Sequence, residues 1–229
     1  MNQRERGIVR TSLSIGVATG AYGVSFGALA TAAGLNVWQA VVLSVLMFTG
    51  GSQFAFVGVV AGGGNLGAAI ATSAFLGVRN TLYGLRLTSL LGLAGWRRVA
   101  GAQLTIDEST AVAVSHTTQR HSRLGFWWTG LAVFVLWNLM TAVGAVAGNA
   151  LGDPRRWGLD AAAAAAFLAL LWPRLTSRRP VVVAASAAAV ALVLSPLVPA
   201  GLPVLASALV AVVAGWAAPA VHGSTEATA

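Results

Sequence analysis

The chain has no cysteine and no lysine, and only six of its 229 residues are acidic. Without cysteine there is no disulfide framework and no thiolate metal site. Without lysine, the entire positive charge is carried by fourteen arginines, which give a formal net charge of +8. These arginines fall in short runs between apolar blocks and do not line one face, so a nucleic-acid footprint is excluded. Charged residues make up 9% of the chain and apolar ones 57%, against about 25% charged in a soluble domain. That balance predicts a polytopic membrane protein.

Apolar blocks near 11–33, 38–61, 66–94, 99–116, 125–149, 158–173, 180–195 and 203–218 approach the roughly twenty residues that cross a bilayer. The fold class expected is all-α: one membrane helix bundle over residues 1–229, with about 6–8 transmembrane segments and one or two broken or re-entrant helices. Block 38–61 reads as a span. Block 66–94 is long enough to span or to break, and 99–116 is short and carries Asp107 and Glu108, so these two cross together or turn back together. Arg4, Arg6 and Arg10 place the N-terminus in the cytoplasm by the positive-inside tendency, and Arg120, Arg123, Arg174, Arg178 and Arg179 mark further cytoplasmic loops. Only the turned-back option also brings Arg97 and Arg98 inside. Residues 1–10 read as a basic cytoplasmic start and 219–229 as a flexible tail. No internal repeat is evident between the halves, and residues 161–166, six alanines, read as smooth helix surface.

Three features could carry chemistry. Gly16, Gly20, Gly23 and Gly27 share one helical face, the small-residue mode by which membrane helices approach closely. FTGGSQFA, residues 48–55, places Gly50, Gly51, Ser52 and Gln53 inside an apolar run. The glycine pair invites a break that turns free N–H groups toward an anion, and Gln53 could equally bond a neighbouring helix.

FLGVRNTLYGLR, residues 75–86, sets Thr72, Arg79, Tyr83 and Arg86 on one arc with Asn80 at its flank. A central arginine costs roughly 2.5–3.5 kcal/mol to insert. Arg86 lies about 16 Å of helix rise from Arg97 and can snorkel, whereas Arg79, about 27 Å away, needs a buried anion. Glu5, Asp153 and Glu226 fall in loops or tails, and Asp160 suits a helix N-terminus. Asp107 and Glu108 remain, about 100° apart on a helix, so only one is expected to face the cavity of Arg79, as ammonium partner or proton carrier. His116, His121 and His222 have no metal-site spacing, and no phosphate loop, nucleophile elbow or cofactor motif occurs.

These motifs, in this order, resemble the AzlC-type branched-chain amino-acid permease family over about residues 12 to 216. FGALATAAGL and FTGGSQF resemble its first glycine-containing segments, VRNTLYG its arginine before an aromatic-glycine pair, LTIDES its Thr-Asp-Glu motif, and GLDAAAAAAFLALL the opening of a later helix. The chain departs from the family where Ala21 stands for a proline, Gly77 for an Asp or Asn, and Ile106 inside Thr-Asp-Glu. The resemblance implies export of leucine, isoleucine and valine across a bacterial cytoplasmic membrane, with a separate small AzlD-like membrane subunit for which the glycine stripe offers a packing surface. No enzymatic role is expected. In that reading Arg79, Asn80 and Gly50 to Gln53 hold the substrate carboxylate, Tyr83 lines the cavity, and Asp107 or Glu108 meets the ammonium. The alternative is a non-transporting subunit that stabilises a partner complex.

Overall fold

The computed structural model describes residues 1–150, 168, 171–198 and 202–216. Among these every regular element is helical and no strand occurs. The alanine run, Asp153, Asp160, Arg155, Arg156 and the tail lie outside the described residues.

Helix α1, Gln3–Ala21, starts from a reciprocal cap: Asn2 accepts from the Glu5 N–H at 2.8 Å and the Glu5 carboxylate accepts from the Asn2 N–H at 3.0 Å. Glu5 is therefore no loose tail residue. It is buried, and Arg120 Nη2 pairs with it at 2.7 Å. α2, Gly23–Ala32, continues α1 after an interruption at Tyr22, so that Gln3–Ala32 forms one apolar rod. α3 is Val37–Leu46, α4 Gly50–Ala61, α5 Leu66–Leu91, α6 Trp96–Gln103, α7 Asp107–Val114 and α8 Gln119–Ala150. α9, Arg178–Leu194, and α10, Leu202–Trp216, pack on each other, with Arg179 Nη2 donating to the Ala214 carbonyl at 3.0 Å. The rod Gln3–Ala32 and α8 are both long and apolar enough to cross a membrane.

The glycine stripe explains how these two come together. A methyl group on Gly16 would lie 2.6 Å from Ala132 Cβ, one on Gly20 2.5 Å from Leu136 Cβ, and one on Gly27 would overlap the Thr141 carbonyl oxygen. Glycine removes that obstacle and lets backbone approach backbone. Thr129 Oγ1 donates to Ser12 Oγ at 2.9 Å inside the same contact. Since Glu5 meets Arg120, Ser12 meets Thr129 and Gly27 meets Thr141, α1–α2 and α8 run parallel. The stripe is thus filled by α8 of the same chain and is not a surface for a small subunit. Gly27→Ala is expected to cost about 1–3 kcal/mol by overpacking against backbone that cannot yield. It should lower the thermal unfolding temperature in detergent, while Gly7→Ala, with nothing within 4 Å, should not.

α8 also sets the depth of the shorter helices. α3 descends along it, with Ser44 Oγ donating to Thr141 Oγ1 at 3.4 Å and Phe48 edge-on to Phe134 at 4.9 Å. At Met47–Thr49 the chain turns, and α4 leads back to the end from which α3 came. The turn through residues 62–65 then starts α5, which packs antiparallel to α4 and reaches the other end, where Arg123 Nε and Nη2 donate to the Leu91 and Gly92 carbonyls at 2.6 and 3.1 Å. From that end α6 enters, the chain turns at Leu104–Ile106 beside Gly130, and α7 returns with Val112 beside Gly125 and the His116 carbonyl accepting from Ser122 Oγ at 3.3 Å.

Two helical hairpins therefore enter from opposite ends and stop midway along α8. Gln103 Nε2 ties them by donating to the Val45 carbonyl at 2.8 Å. Block 38–61 is a hairpin and not one continuous helix, 66–94 holds one unbroken helix of about 39 Å that runs from end to end of the bundle, and 99–116 turns back. Apolar length alone could not reveal this, because ten plus twelve helical residues match one span in length. The result gathers Arg4, Arg6, Arg97, Arg98, Arg120 and Arg123 at one end, here the basic end.

Candidate functional site

The two hairpin tips, the interruption at Tyr22, α5 and α8 enclose a cavity of about 370 Å³. One part of its wall is apolar, with Phe48, Phe54, Val133 and Trp137, and another carries Arg79, Asp107 and Glu108. Arg79 Nη1 lies 3.1 Å from Asp107 Oδ2, and the two side chains keep 37% and 30% of their surface open. The anion that Arg79 requires thus comes from the other hairpin. Both carboxylates line the cavity, because they occupy the first turn of α7, so the expectation that only one could do so is corrected.

The tips add a second source of positive potential. Gly50 and Gly51 open α4, and Asp107 and Glu108 open α7; all four line the cavity. The first N–H groups of a helix have no partner within it and carry the positive end of its dipole. Gly51 matters for shape as well: a methyl group there would lie 3.1 Å from Arg79 Nη2. Gly51→Ala is expected to push the Arg79 guanidinium aside at a smaller cost than Gly27→Ala, because the atom met is the far end of a flexible side chain and not backbone, read as a smaller drop in the thermal unfolding temperature in detergent.

Of the two parts open to Gln53 in the sequence, the structure shows the bond to neighbouring groups. Gln53 is fully buried, its Nε2 donates to the Met47 and Ser44 carbonyls at 2.6 and 3.2 Å, and its Oε1 accepts from Trp137 Nε1 at 2.9 Å. The side chain holds together the turn that the glycine pair opens. Ser52 is buried, with Gly77 close by: a methyl on that glycine would lie 3.6 Å from Ser52 Oγ. Ser52 does not line the cavity. Asn80 faces another cavity, of about 410 Å³, between α5 and α6, and Tyr83 borders neither. Arg86 is exposed.

Among the lining residues that escaped the sequence reading are Thr19, Tyr22 and Trp137. Tyr22 had a signal, a polar aromatic between Gly20 and Gly23 in an apolar block. Trp137 had none, since its role depends on Gln53 and on stacking with Phe26 at 6.3 Å. Among the described residues no group of three metal-ligating side chains occurs.

The sequence profile described as AzlC protein matches residues 14–151, which contain α1 to α8 except the start of α1, both hairpins and every residue of the cavity. The chain belongs to the AzlC family. A protein of Archaeoglobus fulgidus, described as an uncharacterized membrane protein, is 32% identical over 156 residues, which cover 67% of this chain and 68% of that one. No solved structure matches. In this AzlC chain Arg79, the Gly50–Gly51 pair and Asp107–Glu108 converge on one cavity.

Proposed function

We propose that this AzlC-family chain is the transporting subunit of a secondary exporter for branched-chain amino acids, multi-pass in a bacterial cytoplasmic membrane, with its basic end in the cytoplasm and a small AzlD-like subunit as partner. The observation that carries this reading is the Arg79–Asp107 pair inside a partly apolar cavity. An ion pair is a template for a zwitterion. The substrate carboxylate takes the Arg79 guanidinium, bidentately, together with the N–H groups of α4, and the substrate ammonium takes Asp107. Charge is balanced whether the pair is closed or split, so opening it does not strand a buried ion. The aliphatic side chain meets Phe48, Phe54, Val133 and Trp137, and about 370 Å³ is at the small end of ligand pockets, which run from about 300 to 1,000 Å³. Glu108, next to the ammonium site, is the candidate for a coupling proton.

Efflux of labelled leucine, valine and methionine from proteoliposomes, with and without the small subunit, tests the assignment. Flux of leucine and valine supports it, and flux of none of the three sinks it. A second reading, a non-transporting subunit in which the same ion pair only fixes helix register, predicts that loss of Arg79 disrupts assembly with the partner and that no amino acid moves.

A further inference from the structure

Two of the long helices, the α1–α2 rod and α5, carry the same short sequence. FGALAT at 26–31 and YGLRLT at 83–88 each read aromatic, glycine, aliphatic, any, aliphatic, threonine. Each is followed by Gly-Leu-x-x-Trp, GLNVW at 34–38 and GLAGW at 92–96. The local structure repeats as well. Each threonine hydroxyl turns back on its own helix: Thr31 Oγ1 donates to the Ala28 carbonyl at 2.9 Å with the Gly27 carbonyl at 3.3 Å, and Thr88 Oγ1 donates to the Gly84 carbonyl at 2.7 Å. Gly34 and Gly92 both have positive φ, 94° and 53°, where the long helix gives way to the hairpin. Trp38 and Trp96 both sit in the first turn of the hairpin's first helix, 78% and 74% exposed, at opposite ends of the molecule. At the tips, Gln53 binds the Met47 carbonyl and Ser109 Oγ binds the Leu104 carbonyl, each at 2.6 Å. One unit, long helix plus hairpin, is thus used twice in opposite directions, the inverted repeat common in secondary transporters.

The two copies differ in what surrounds them. In the first, Gly27 and Thr31 press on Thr141 and Gly148 of α8, and Ala30 and Ala40 on α2 and α3 are fully buried. In the second, a methyl on Gly84 would meet nothing within 4 Å, Thr88 is exposed, and both line the cavity of about 410 Å³ that reaches from Arg98 to Thr105. Ile106, the next residue of that tip, lines the central cavity. Arg79 and Asn80 divide in the same way between the two spaces.

We infer that the two copies exchange these surroundings. The groove between α5 and α6 is the path of a zwitterionic aliphatic amino acid between the central cavity and the basic end, the tip at Leu104–Ile106 is its gate, and when it closes an equivalent groove opens between α2 and α3 at the opposite end. This rests on the transport reading above. Equivalent sequence in open and closed packing keeps the two states within a few kcal/mol, the condition for exchange.

The chain has no cysteine, so introduced cysteines report alone. In vesicles, a membrane-impermeant maleimide should label Thr88→Cys from the cytoplasmic face and Thr31→Cys, weakly, from the other. A disulfide between Thr88→Cys and Ala102→Cys, across the groove, should stop leucine flux. It should also raise labelling of Thr31→Cys about tenfold, as expected when a state of about 10% becomes dominant. Gly84→Leu, which needs no bridge, should hold the groove open, leave Thr31→Cys unlabelled and stop flux in a normally folded protein. Labelling of Thr31→Cys that ignores both manipulations overturns the inference. Reciprocal labelling without leucine flux in the unmodified protein overturns the substrate assignment and leaves the repeat standing, whereas leucine flux without reciprocity does the reverse.

Discussion

Arg79→Gln is expected to reduce leucine efflux by at least about 100-fold while the protein still inserts. Truncating one partner of a charged pair buried in an interface costs about 2–5 kcal/mol; Arg79 and Asp107 are half-buried until a substrate covers them, and in the proposed reading Arg79 is also the group that recognises the substrate carboxylate. Asp107 and Glu108 would then share one helix turn without the nearby cation, which lowers stability too. The double variant Arg79→Gln/Asp107→Asn separates the two effects. It removes the unpaired charge and should recover the unfolding temperature, but it should not recover transport. Recovery of both would mean that the pair only fixes helix register. Arg79→Lys keeps the charge and loses the planar fork, so it should retain partial efflux, about tenfold below the unmodified protein.

Gln53→Leu is expected to destabilise the protein more than any substitution of a cavity charge. It leaves the Ser44 carbonyl and the Trp137 indole N–H without this partner in a buried site, and the Met47 carbonyl with the Thr49 N–H alone, at about 1–3 kcal/mol for each unsatisfied group. The first tip would lose its fixed turn, and with it the placement of Gly50 and Gly51. Thermal unfolding in detergent should show the largest drop in midpoint for Gln53→Leu. Trp137→Phe, which removes one donor and keeps most of the stacking, should show a smaller one. If Gln53→Leu unfolds at the normal temperature and loses only transport, Gln53 contacts substrate and the tip is held by something else.

What was legible in the sequence followed from single residues with strong costs. An arginine far from any interface demands an anion, and the scarcity of acids reduces the choice to Asp107 and Glu108. A glycine pair in an apolar run forces a break, and the break lies at Met47–Thr49, directly before the pair. What was not legible depends on partners. Gln53 could serve a ligand or a neighbour, and only the position of Trp137 and of the Met47 carbonyl decides for the neighbour. The glycine stripe announces a close approach without saying whose, and α8 supplies it. The hairpin of block 38–61 escaped because hydropathy counts apolar length and not direction, whereas the turning back of 99–116 was one of the options its length left open. The repeat escaped because it lies in two short motifs whose flanks have diverged: Tyr22 stands in the first copy where Arg79 stands in the second, and both line the same cavity.

In the proposed reading a zwitterion splits the Arg79–Asp107 pair. Equilibrium binding to the purified protein tests it most directly, comparing leucine with 4-methylpentanoate, which lacks the ammonium group, and with 3-methylbutylamine, which lacks the carboxylate. The account predicts that leucine binds, that each analogue binds at least about 100-fold more weakly, the loss expected when a buried charged partner is left unmet, and that Arg79→Gln abolishes leucine binding. Binding of either analogue as tight as that of leucine, or undiminished leucine binding by Arg79→Gln, would contradict it.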